Sequence, residues 1–251
     1  MVPHPTTLHL ALFSAVVLGF KHGFDYDHIA AISDITSVEP SRAKGMRMGL
    51  VYVAGHASTV AALGGAVILF QRSLPPRVDN WAERAVGFTL VLLGLYVLGT
   101  LLRQGTSYVP RSRASILIGA FQWISWQVRK IFHPGADWKF GKERENYNRK
   151  SVFLVGVIHG LGAETPSQLL LFLLAANLGG LTRGFLGLAM FLGGLLLMNT
   201  LMTASAVGIF GASAARPRLM RFVVALTATY SLIVGAIFLF GSSAALPSLG
   251  G

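Results

Sequence analysis

Long runs of apolar residues dominate this chain, and they predict helices that cross a membrane. A helix needs roughly 18–20 apolar residues to span a hydrocarbon core of about 30 Å, and six runs are long enough. These runs cover residues 7–35, 48–70, 85–102, 152–176, 184–211 and 222–240. The pattern therefore predicts an all-α integral membrane protein with six transmembrane helices.

The composition supports this prediction and excludes other classes of protein. Of the 251 residues, 53% are apolar and only 12% are charged, whereas a soluble domain carries roughly 25% charged residues. The chain has no cysteine, which excludes disulfide frameworks and thiolate metal sites. We therefore exclude a soluble enzyme and a disulfide-stapled secreted domain, and we expect no enzymatic activity.

The positive charges predict how the chain is oriented. Sixteen of the 21 lysines and arginines lie in the links after spans one, three and five, and four lie on the opposite face. Because positive loops stay in the cytoplasm, both termini should face outward. We expect three parts: a three-span half at 1–102, a basic cytoplasmic loop at 103–150 and a second three-span half at 151–251. The stretch 115–128 of the loop is too short to span and contains two tryptophans, which favours an interfacial helix over a re-entrant one.

Several ionisable residues lie inside the apolar runs, where each costs roughly 2.5–3.5 kcal/mol to insert, so they are candidates for function. They are His22, Asp25, Asp27, His28, His56, His159 and Glu164. Histidine nitrogen combined with carboxylate oxygen is the ligand set of a divalent transition metal such as nickel, cobalt, zinc or iron. The remaining histidines lie near segment ends or in the loop and are expected to be ordinary.

Glycines beside these residues predict discontinuous helices. A glycine follows both His22 and His159, and an acid lies five residues after each histidine. Unwound stretches are tolerated at membrane depth beside a cavity, and they would let Asp27 approach His22. Since each three-span half begins with this motif, we expect a 3+3 inverted repeat with helices one and four broken. The alternative is a simple kink, with the glycines serving close helix packing.

At these residues the chain resembles the nickel/cobalt transporter family, especially its short, urease-accessory-like members. The principal motif, histidine, four residues, then aspartate-histidine, matches residues 22–28, and a glycine-histidine motif matches residues 55–60. Weaker matches lie at 161–165 and 193–203, where Asn199 stands in place of a family aspartate. The resemblance implies a permease of the cytoplasmic membrane for Ni²⁺ or Co²⁺, the choice between them being open.

The resulting hypothesis places a metal site near the midplane, between the two halves. The expected metal ligands are His22, Asp27, His28, His56, His159 and Glu164. The residues expected to orient them or line the path are Asp25, Tyr26, Ser58, Gln168 and Asn199. The expected partners are the lipid bilayer and a divalent transition-metal ion as substrate, with no nucleic acid and no cofactor beyond the transported metal.

Two alternatives use the same residues. An exporter of nickel or cobalt would need the same ligands and coupling to another ion, and the outer loops offer few groups to capture scarce metal. A membrane redox protein could hold haem between histidines of different spans, although the neighbouring carboxylates argue against a haem pocket.

Overall fold

Helices form almost all of the chain that the structure describes. The structure is a computed structural model, and it describes residues 5–39, 41–71, 76–104, 149–162, 180–242 and 246. Within these ranges there are seven helices and no strand. The helices are α1 (Pro5–His22), α2 (Tyr26–Ser37), α3 (Arg42–Phe70), α4 (Pro76–Gln104), α5 (Arg149–His159), α6 (Leu181–Ser213) and α7 (Pro217–Leu239).

Four of these helices contain segments long and apolar enough to cross a membrane: Arg42–Phe70, Asn80–Gly99, Leu181–Ser213 and Pro217–Leu239. The predicted all-helical membrane protein is confirmed at this level. Several helices begin before the apolar runs do, because polar residues start them. At α3, for example, the side chain of Ser41 accepts a hydrogen bond from the backbone N–H of Lys44, which satisfies a free donor of the first turn. The predicted interfacial helix at 115–128 lies outside the described residues.

The surface of the described helices is apolar, unlike that of a soluble protein. On α1, Leu10, Phe13 and Val17 are exposed on one face, because residues three and four apart lie on the same side of a helix. In contrast, His28 and His56 are fully buried, within an interior that is otherwise mainly apolar. An apolar surface with polar groups kept inside is what a lipid solvent favours.

The predicted interruption of the first span is present as a short turn between α1 and α2. Phe24 N–H donates to the carbonyl of Lys21, and Asp25 N–H donates to that of His22. Helical structure resumes at Tyr26. Gly23 makes a close approach to α6, where an added Cβ would lie 2.9 Å from Cβ of Met198. The turn thus separates two helical segments where the sequence predicted a break.

The helix α5 ends in a similar way. Its last residue is His159, and residues 160 and 161 form a turn. The N–H of Gly162 donates to the carbonyl of His159. Residues 163–179 lie outside the described ranges, so the rest of the predicted fourth span stays a prediction.

Three pairs of helices pack closely: α1 with α6, α3 with α5, and α4 with α7. In each pair, a glycine of either helix lies against the backbone of the other, where a Cβ would clash. The facing glycines are Gly19 and Gly194, Gly55 and Gly156, and Gly87 and Gly235. These contacts let the helix backbones touch, as in membrane helix pairs that cross at small residues.

Candidate metal site

Three buried imidazoles from different helices converge at the turn between α1 and α2. His22 is the last residue of α1, His28 lies in the first turns of α2, and His56 is near the middle of α3. Each offers a ring nitrogen, and these atoms all lie within 4.8 Å of one another. The ring centroid of His22 lies 5.1 Å from that of His28 and 5.4 Å from that of His56. The sequence predicted all three as ligands.

The closest pair of nitrogens lies at hydrogen-bond distance, and that distance is also the spacing that a shared metal ion imposes. Nε2 of His28 and Nε2 of His56 are 3.3 Å apart. A metal bonded at about 2.1 Å to two imidazole nitrogens, with the roughly 90–110° angle of octahedral or tetrahedral coordination, holds them roughly 3.0–3.4 Å apart. This geometry suits metal binding with little rearrangement of the two helices.

A carboxylate lies close to Nδ1 of two of these rings, and the contact with His28 is a hydrogen bond. Nδ1 of His22 lies 2.8 Å from Oδ2 of Asp25, and Nδ1 of His28 lies 2.9 Å from Oδ1 of Asp27. A carboxylate that accepts the Nδ1–H of a histidine leaves Nε2 as the free ligand atom, the usual arrangement behind metal-bound histidines. For His28, that nitrogen is the one that faces His56.

The helix break explains why both aspartates reach histidines. On an unbroken helix Asp25 shares a face with His22, whereas Asp27 points elsewhere. In the structure Asp25 has an extended backbone, with φ −73° and ψ 159°, and α2 starts after it. Asp27 therefore lies in the first turn of α2 and is buried beside His28.

His159, the last residue of α5, lies beside Asp27 and Tyr52. Its Nδ1 lies 3.7 Å from Oδ2 of Asp27 and 3.2 Å from the hydroxyl oxygen of Tyr52. Its Nε2 lies 2.9 Å from Oγ1 of Thr89. The three-imidazole group that meets at the α1–α2 turn does not include it.

Sequence reasoning missed Tyr52 and Thr89. Tyr52 could have been found, because it lies one helical turn before His56 on the same face. Thr89 could not have been found from the sequence, since a single threonine in an apolar run is common. Its partner in the structure, His159, is 70 positions away.

The other predicted residues are placed differently. The backbone carbonyl of Tyr26 accepts a hydrogen bond from the hydroxyl of Tyr230, 3.3 Å away. Asn199 is fully buried on α6, and neither atom of its amide group has a hydrogen-bond partner among the described residues. Ser58 is exposed and donates to the carbonyl of Ala54. Glu164 and Gln168 lie outside the described residues.

Comparisons with known proteins agree with the motifs. The chain is 29% identical over 175 residues to the cobalt transport protein NhlF of Rhodococcus rhodochrous, covering 65% of this chain and 48% of that protein. It is 30% identical over 79 residues to the urease accessory protein UreH of Bacillus sp. (strain TB-90), covering 32% of this chain and 35% of that protein. The chain thus matches about half of the first relative's length and about a third of the second's. No protein-family profile and no solved structure matches it. The two relatives confirm the resemblance to the nickel/cobalt transporter family.

Proposed function

We propose that this chain is a permease that carries Ni²⁺ or Co²⁺ across the cytoplasmic membrane into the cell. The observation that carries the proposal is the group of three buried imidazoles, two of whose nitrogens are 3.3 Å apart, inside an apolar helical bundle. In this proposal His22, His28 and His56 bind the ion. The cobalt transport protein among its relatives favours the same substrate class.

The charges around the imidazoles suit a dication. An uncompensated double charge is costly to hold in a medium of low dielectric constant. Asp25 places a carboxylate beside Nδ1 of His22, and Asp27 places one beside Nδ1 of His28. When both are ionised and the imidazoles are neutral, they balance the charge of one divalent ion. The sequence predicted Asp27 and His159 as ligands. In this proposal Asp27 instead accepts a hydrogen bond from the ligand His28, and His159 lies beside Asp27.

The geometry favours this reading over a haem protein. Two histidines bound to opposite faces of a haem iron have nitrogens about 4 Å apart, with the macrocycle between them. The nitrogens of His28 and His56 are closer, with Nε2 atoms 3.3 Å apart, and their ring centroids are only 4.4 Å apart with planes at 71°. A small ion fits between such rings, whereas a flat macrocycle does not.

Inward movement of the ion has a sufficient driving force. A dication gains about 4.6 kcal/mol per 100 mV of membrane potential, at ~2.3 kcal/mol per charge. We propose that the basic links face the cytoplasm and both termini face outward, as the positive charges predict. The amide of Asn199 lies buried in the bundle, with no hydrogen-bond partner in the part of the chain that the structure describes, and we assign it to the path of the ion.

Packing of the helices supports an inverted repeat of two three-span halves. A two-fold relation between such halves exchanges spans one and four, two and five, and three and six. Span one contains α1 and α2, and spans two to six contain α3, α4, α5, α6 and α7 in that order. The exchange therefore converts the pair α1–α6 into the pair α5–α3 and leaves the pair α4–α7 unchanged. These are the three pairs that pack closely. His22 and His159 also correspond. Each is the last residue of its helix and lies three residues after one of the facing glycines, here called crossing glycines, Gly19 and Gly156. Rocking of one half against the other would then expose the site alternately to the two sides.

Metal accumulation in cells that express the protein tests this function. We expect expression to raise cell-associated nickel or cobalt, and His22→Ala, His28→Ala and His56→Ala each to remove that increase at equal protein level. His133→Ala is the control, because this histidine of the long loop is not assigned to the site. Retained uptake in all three site variants contradicts the proposal, and reduced metal content with greater tolerance to the metal indicates export instead.

A further inference from the structure

His159 has a polar partner at each ring nitrogen, and Thr89 is the partner of Nε2. The hydroxyl oxygen of Thr89 lies 2.7 Å from the carbonyl oxygen of Val86, to which it can donate, and 2.9 Å from Nε2 of His159. With the Thr89 proton given to Val86, the threonine oxygen accepts from Nε2–H of His159. In this tautomer, Nδ1 is the ring nitrogen that His159 presents to other groups.

The remaining nitrogen of His159 is shared by two neighbours. The hydroxyl of Tyr52 lies 3.2 Å from Nδ1 and donates to it when the ring is neutral, and Oδ2 of Asp27 lies 3.7 Å from the same atom. All four side chains are buried. Since both nitrogens of the neutral ring already have protein partners, His159 donates no hydrogen bond to Asp27, and its ring packs beside the carboxylate at 3.7 Å.

Its counterpart in the other half, His22, has different neighbours. Phe191 contacts the ring of His22 with a centroid distance of 5.8 Å, much as Tyr52 contacts that of His159 at 5.6 Å. Both aromatic residues lie three positions before a crossing glycine, but phenylalanine has no hydroxyl to offer.

The same difference appears in the third helix pair. Thr89 lies two positions after the crossing glycine Gly87, and Ile237 lies two positions after Gly235. The two hydroxyls that engage His159 therefore correspond by position to the apolar side chains of Phe191 and Ile237, of which Phe191 contacts the ring of His22.

We infer that Thr89 and Tyr52 are positioning residues, which make His159 a support for Asp27 and leave His22 as the ligand of the corresponding pair. Held by Thr89, the ring of His159 limits where the Asp27 carboxylate can lie, and Asp27 in turn orients His28. This inference rests on the proposed metal site. It assigns a role to α4, a helix whose apolar run carries no other candidate.

Thr89→Val tests this role, because valine keeps the shape of threonine and removes its hydrogen bonds. Loss of a direct partner of a metal ligand weakens metal affinity by about 10- to 100-fold, and Thr89, which acts only through His159 and Asp27, should cost no more than about 10-fold. We expect this loss for Co²⁺ binding to purified full-length Thr89→Val protein, and recovery in Thr89→Ser, which restores the hydroxyl. Thr227→Val is the matched control, since Thr227 also donates to the carbonyl three residues before it, at 3.1 Å.

Tyr52→Phe provides a second measurement that does not depend on the folding of Thr89→Val. It removes the other hydrogen bond of His159 and keeps the aromatic ring. We expect a similar loss of affinity, and a double variant that is no weaker than about the stronger single one, because residues acting through one partner are not additive.

Three results separate the inference from the proposed function. Wild-type Co²⁺ affinity in both Thr89→Val and Tyr52→Phe overturns the inference, as does an equal loss in Thr227→Val. X-ray absorption of bound Co²⁺ should show the same nitrogen ligands in Thr89→Val as in the wild type, whereas loss of one nitrogen means that His159 is itself a ligand. His56→Ala with unchanged Co²⁺ affinity overturns the proposed metal site instead.

Discussion

Nε2 of His28 and Nε2 of His56 lie 3.3 Å apart, although the two residues are 28 positions apart in the chain and on separate helices. The contact depends on the turn that restarts the helix before His28 and on the crossing that places Gly55, the neighbour of His56, against α5. The site is therefore assembled by backbone features as much as by its ligands.

Asp27→Asn should weaken binding of Co²⁺ by about 10- to 100-fold without changing the number of nitrogen ligands. An amide retains the size of the carboxylate but holds the Nδ1–H of His28 less strongly and removes a balancing charge. Titration of the purified protein with Co²⁺, combined with X-ray absorption, checks both points. Ser58→Ala should bind normally, since Ser58 is exposed and bonded to its own helix. Loss of an oxygen ligand in Asp27→Asn would instead make Asp27 a direct ligand.

Gly156→Ala should destabilise the protein, because its new methyl group would meet the backbone carbonyl of Tyr52 and lie 2.9 Å from the backbone nitrogen of His56. Overpacking of this kind costs roughly 1–3 kcal/mol. Gly193→Ala is the control, since nothing lies within 4 Å of its added Cβ and alanine favours a helix by roughly 0.5–1 kcal/mol. The melting temperatures in detergent should therefore shift in opposite directions, and equal shifts would contradict the described crossing.

Asn199→Leu should lower transport while leaving the melting temperature equal or higher. A buried amide without a hydrogen-bond partner costs free energy, so its replacement by an apolar side chain of similar size relieves that cost. Ser231→Ala removes another buried polar group without a partner among the described residues, on α7, and should leave transport unchanged. Normal metal uptake by Asn199→Leu would remove Asn199 from the path of the ion.

Single cysteines can test the proposed orientation directly, because the chain contains none. Ser242 follows α7, and Ala215 lies in the link between α6 and α7; both are exposed. With the termini outside, a membrane-impermeant maleimide should label Ser242→Cys on intact cells and Ala215→Cys only after permeabilisation. The reverse labelling pattern would invert the topology.

The sequence alone was enough to identify a helical membrane protein with buried histidines and acids. Apolar runs of spanning length and the low fraction of charge depend only on composition and order along the chain, so no tertiary information was needed. The break after His22 was also predictable, because glycine and clustered polar residues at membrane depth disfavour a continuous helix there. The motif at residues 22–28 indicated the family to which the two relatives point.

Only the tertiary structure decided which of these side chains meet. The helical period places residues on faces but says nothing about which helix crosses another, and the crossings depend on glycines that allow backbones to touch. Those contacts bring His56 to His28 and place Thr89 beside His159. In the proposed assignment, the roles of the two histidines that end α1 and α5 differ through hydroxyl groups on other helices, whose positions are set by packing rather than by local sequence.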